Sequence, residues 1–101
     1  MTVYVDDFHV QATVGRLSAR WCHMTADSTA ELVTMADAIG LRRAWIQYPG
    51  TWKEHFDVTE SRRTAAVKLG AQQISMRDSV LAMRARWAAR AKPEDQDATS
   101  Y

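Results

Sequence analysis

At 101 residues, with 47% hydrophobic and 25% charged side chains, the chain has room for one modest core, and its composition excludes a disordered or fibrous protein. A net charge of +1 excludes a molecule-wide attraction to nucleic acid or membrane, so such binding would have to come from local patches. The single cysteine, Cys22, excludes an internal disulfide, and no apolar run approaches the ~20 residues of a membrane span.

The first strand is expected over about Thr2 to Asp6, where β-branched and aromatic residues alternate. A loop over Asp7–Ser18 follows, with Gly15 as its turn, and a second strand runs from about Ala19 to Ala26. Ser28-Thr29-Ala30-Glu31 is a capping box. Leu32, Met35, Ala36 and Ile39 then recur at helical spacing until Gly40 stops the helix. A strand over Ala44–Gln47, a turn over Tyr48-Pro49-Gly50-Thr51 and a short strand from His55 to Val58 come next. A second helix reaches Leu69 before Gly70, a weak strand covers Ala71 to Ile74, and a third helix runs from Ser75 to about Ala91. The order β-β-α-β-β-α-β-α predicts an α/β (or α+β) domain over 1–92, with a three- to five-stranded mixed sheet and helices mainly on one face. Residues 93–101 read as a polar tail.

Alternation gives three of these strands a common design. Val3 and Val5, Cys22 and Met24, and Phe56 and Val58 share an apolar face. Tyr4 and Asp6, Trp21 and His23, and His55 and Asp57 fall on the other. Cys22 on the apolar side reads as a buried, inert thiol. On the polar side, imidazole and carboxylate donors suit Zn²⁺, Mn²⁺ or Fe²⁺. Asp6, His23, His55 and Asp57 are therefore the candidate ligands of a divalent metal cofactor (Zn, Mn or Mg). Asp7 is a candidate base, and Arg16 or Arg63 would hold an anionic, phosphate-containing substrate. The alternative is a solvated sheet face whose acids and histidines pair with Arg16, Arg20 or Arg62. Asp6-Asp7 has its own bland reading, since aspartate at a strand end accepts backbone hydrogen bonds in the next turn.

The third helix carries Arg77, Arg84, Arg86 and Arg90 opposite a stripe of Met76, Val80, Met83 and Trp87. This pattern fits a non-enzymatic module that binds a host or bacterial protein through the basic helix and exposed tryptophans. Nucleic acid is a less favoured partner, membrane is excluded, and the Trp87 stripe is a candidate homodimer contact. The same helix can equally pack on the domain through its stripe, leaving the arginines in water.

Taken together, Tyr4-Val5-Asp6-Asp7, His23-Met24-x-Ala26-Asp27, Glu31-Leu32, Met35-Ala36-Asp37, Trp45-x-Gln47, Gly50-Thr51, His55-x-Asp57, Ser61-x-Arg63 and Gly70-Ala71 resemble a family of small bacterial and actinobacteriophage proteins, domain of unknown function 4031. The resemblance spans about residues 1 to 75, leaving the basic third helix outside it. It implies a bacterial or phage origin and brings no activity, substrate or cofactor with it. Phe8 to Val14 departs from the family pattern, being longer and less proline-rich than the usual link to the Gly15-Arg16 pair. A cytoplasmic location is expected, in the host if the chain is phage-encoded, because the start lacks a basic-then-apolar leader.

Overall fold

A computed structural model describes residues 2–90. Strands Val3–Val5 (β1), Val10–Val14 (β2) and Leu17–Ala26 (β3) come first, followed by helix Thr29–Ala38 (α1). Strand Phe56–Thr59 (β4), helix Glu60–Lys68 (α2), strand Gln72–Gln73 (β5) and helix Met76–Arg90 (α3) complete it. The result is an α+β fold with a mixed five-stranded sheet, and the expected class and rough order of elements hold.

The ten-residue β3 is the spine. It meets both β2 and β4 at Trp21, and both β1 and β4 at Met24. A strand has only two edges, so β1 and β2 lie end to end along one edge and β4 lies along the other. β5 adds in parallel to the outer side of β1.

Alternation sends Val3, Val5, Cys22, Met24, Phe56 and Val58 to one face, and all six are buried. Each such large side chain contributes roughly 1.5–3 kcal/mol relative to exposure. α1 and α2 cover this face through Leu32, Ala36 and Ala66. α1 starts where the capping box predicts: the Ser28 hydroxyl accepts from the Glu31 N–H at 3.2 Å and donates to its carboxylate at 2.8 Å. At its end Gly40 takes φ +83°, and the Leu41 N–H reaches back to the Ala36 carbonyl at 2.8 Å. That six-to-one bond turns Leu41 into the core, where it is 8% exposed. α2 ends the same way, with Ala71 bonded to Ala66 at 3.0 Å.

α3 lies over the opposite, polar face. Arg86 sits over the Tyr4 ring at 5.5 Å and within 3.6 Å of Asp27, while Thr25 and Ser79 are buried. Two helices thus cover the apolar face and the third covers part of the polar one.

Two expectations are corrected. More than half of the expected Asp7–Ser18 loop is strand, since β2 and the start of β3 form a hairpin whose last pair is Val14↔Leu17. Gly15-Arg16 is its two-residue turn, and Gly15 has the positive φ (+62°) that such a turn requires at its first position. The expected strand Ala44–Gln47 is instead a 3₁₀ turn over Arg43–Trp45. Only Gln47 finds a partner, His55, in a single antiparallel bridge. The 93–101 tail lies outside the described residues. Among those described, no helix is long and apolar enough to cross a membrane.

Candidate metal centre

The site begins at the break between β1 and β2. Asp6 continues the ladder with one bond, its N–H donating to the His23 carbonyl at 3.0 Å. Its own carbonyl is turned away to accept from Arg63 Nε at 2.7 Å. The Asp6 side chain fills the vacated position. Oδ1 accepts the His23 backbone N–H at 2.9 Å and the Phe8 N–H at 3.2 Å, and Oδ2 lies 2.7 Å from His23 Nδ1. Burial alone would raise this carboxyl, but the ring and backbone N–H of His23 outweigh it and hold it below its usual range. An ionised carboxylate only accepts, so His23 Nδ1 carries the proton.

His23 pairs with Asp57 across the β3–β4 ladder, and His55 stands two residues before Asp57 on the same face. His55 Nδ1 lies 2.6 Å from the Lys53 carbonyl, which also only accepts, so that nitrogen is protonated too. Both Nε2 atoms face Asp57, whose Oδ1 is 3.9 Å from that of His23 and 3.3 Å from that of His55. The two rings meet edge to face, 5.0 Å between centroids. His23, His55 and Asp57 each offer one ligand atom within 4.8 Å of the others. Donor atoms about 2.1 Å from a tetrahedral zinc stand roughly 3.4 Å apart, a spacing that the two Asp57 distances bracket. Burial alone would lower the His55 pKa; Asp57, the Lys53 carbonyl and Asp6 reverse this and raise it. The hydrogen bond from His55 holds Asp57 below its usual range, against the effect of burial.

A cavity of about 210 Å³ opens beside the two rings. The sheet contributes Asp6, His23, Thr25 and His55, the 48–53 loop contributes Tyr48, Trp52 and Lys53, and α3 contributes Met76, Val80 and Met83. The expected apolar stripe of α3 is therefore a wall of the site. Asp57 itself lines a separate groove of about 640 Å³ that runs past Trp21 and Trp45.

A sequence model described as "Protein of unknown function (DUF4031)" matches residues 3–86. The chain belongs to the DUF4031 family. No curated protein and no solved structure matches it. The match reaches Arg86 and so takes in most of α3, which corrects the expectation that the third helix lies outside the family resemblance.

In this DUF4031 domain the other expected site residues are dispersed. Asp7 is exposed, and its Oδ1 accepts the Met76 N–H at 2.8 Å, so it anchors the start of α3 instead of facing the cluster. Arg16 sits in the hairpin turn, seven residues along β3 from His23, roughly 23 Å at strand rise; it is not an anion-binding partner of this cluster. Arg63 ties α2 to the β1 end and to β5, through the Asp6 carbonyl and Gln73 Oε1 at 3.1 Å. Among the arginines of α3, Arg86 is folded back onto Tyr4 and Asp27. Arg77 is exposed, Arg84 lies 5.1 Å over the Trp52 ring, and Arg90 closes the helix. Trp87 is 39% exposed.

Sequence reasoning missed Asp6's orienting role and the Lys53 carbonyl, because both depend on where a chain turns. Tyr48 and Phe8 also went unnoticed as site neighbours. Their rings stand 6.1 Å from that of His55 and 4.9 Å from that of His23. Phe8 stands two residues after Asp6 and Tyr48 opens the proline turn, and neither position signals a neighbouring histidine.

Proposed function

We propose that this domain binds one divalent metal ion through His23 Nε2, His55 Nε2 and an Asp57 oxygen, and uses it in hydrolysis of a phosphate-containing substrate. The observation that carries the reading is the placement of the two rings. Each Nδ1 stands against a fixed acceptor, the Asp6 carboxylate at 2.7 Å or the Lys53 carbonyl at 2.6 Å, and each Nε2 faces one carboxylate. Histidines that hold a metal are oriented in this way, by an acceptor behind the ring. Asp6 then acts as that acceptor and not as a fourth ligand, since both its oxygens are already used. Two imidazoles favour Zn²⁺, Mn²⁺ or Fe²⁺ over Mg²⁺. Three protein ligands leave an open position for water or a phosphoryl oxygen, and a metal there lowers the pKa of a bound water toward 7. Lys53, on the cavity wall, supplies positive charge for the phosphate in place of the arginines expected from sequence.

Elemental analysis tests the first step. Protein stripped of metal, then dialysed against Zn²⁺ or Mn²⁺ and desalted, is expected to retain one equivalent per chain. His55→Ala is expected to retain almost none while keeping the native far-UV spectrum. Equal metal content in the two proteins would refute the assignment.

A further inference from the structure

The segment enclosed by the Gln47↔His55 bridge carries a second pattern. The bridge closes the loop with bonds of 2.8 and 3.1 Å. Glu54 braces it from within, accepting from the Gly50 N–H at 3.0 Å and from Thr29 Oγ1 at 2.7 Å. On this braced loop Tyr48 is 56% exposed and holds φ +49°, a conformation that a bulky residue rarely adopts. Outliers of this kind cluster at ligand-binding positions. Lys53 Nζ lies 5.6 Å over the Tyr48 ring and 5.5 Å over that of Trp52, with no carboxylate paired to it among the described residues. Arg84 stands over Trp52 as well. On the far side of the two histidines Phe8 is 44% exposed.

Flat rings, and cations that lie over them without a carboxylate partner among the described residues, thus flank the proposed metal centre. Inorganic phosphate has no use for the rings, and a neutral apolar ligand has none for the cations. Resting on the metal-centre reading, we propose that the ligand is a phosphate ester carrying a flat ring, of the nucleoside phosphate class. The ring stacks on Tyr48, and the phosphate sits between the metal and Lys53. Stacking platforms beside cations are how proteins hold bases without reading their edges, so the site takes purine and pyrimidine alike.

Calorimetric titration of the Mn²⁺-loaded full chain tests this with adenosine monophosphate, thymidine monophosphate and glycerol phosphate. Both nucleotides are expected to bind on the order of tenfold more tightly than glycerol phosphate. Tyr48→Gly, which suits the local φ, is expected to erase that preference at unchanged metal content. Lys53→Gln is expected to weaken all three ligands. A thymidine hexanucleotide that outbinds the monophosphate would identify a strand as the source of the ligand, and equal binding would identify the free nucleotide. A metal-loaded protein that binds glycerol phosphate as well as the nucleotides, or binds none of them, overturns this proposal alone. Failure to take up Mn²⁺ brings down the metal-centre reading with it.

Discussion

Asp6 stays charged although it is 1% exposed, because three donors converge on its two oxygens. A buried carboxylate so satisfied is stable, and it dictates which His23 nitrogen carries the proton. Asp6→Asn is the sharpest single-residue probe. The amide can still accept the two backbone N–H groups, but it turns an NH₂ toward Nδ1. His23 then moves its proton to Nε2 and loses the lone pair that would bind the metal. Metal affinity is expected to fall about 10–100-fold, measured by competition against a chromophoric chelator; unchanged affinity would show that Asp6 does not set the tautomer. At this scale the sequence was informative where period two governs. Alternation put Asp6, His23 and Asp57 on one face, and the rings that had to be near each other are 5.0 Å apart. It carried no information on Arg16, whose position depends on a hairpin hidden in a segment with weak strand patterning.

Among the elements, α1 was the most legible, since its boundaries are set locally by Ser28, Glu31 and Gly40. Ser28→Ala removes one acceptor and one donor from the capping box. It is expected to cost about 1 kcal/mol, a drop in Tm of roughly 4–8 °C for a domain this size. A variant that melts with the native protein would mean that tertiary packing alone fixes the start of α1. β2 was not legible because Val10 and Val14 look outward, 39% and 57% exposed, so no apolar face announces the strand. Ala44–Gln47 misled in the opposite sense. Its β-favouring residues suit a strand, but the chain offers an edge to Gln47 alone, and Trp45 remains 51% exposed. Strand pairing is decided between segments far apart in sequence, which is why the His23↔Asp57 match could be hoped for and not read.

Across the whole molecule, the sheet divides the labour: one face holds the core under α1 and α2, while the other holds the ionisable cluster beneath α3. The cluster gives the domain a stability that depends on pH and on metal in opposite ways. Asp6 and Asp57 have carboxyls lowered from 3.8, so the stability they add is present above that value and is lost as pH falls through the lowered pKa values. His55 is raised from 6.5, so its contribution is complete below that value and is lost as pH rises through the raised pKa. Through these three groups the metal-free protein is stabilised most between the two ranges, in mildly acidic solution, and loses the His55 contribution as pH rises. A metal ion competes with the proton for His55 Nε2 and stabilises the native state in proportion to its binding. The direct test is Tm from pH 6 to pH 8, with and without a large excess of Zn²⁺ or Mn²⁺. The metal-free Tm is expected to fall over this range while the increment from metal grows. A metal increment that is absent at pH 8, or that shrinks as pH rises, would contradict the assignment of His23, His55 and Asp57 as a metal centre.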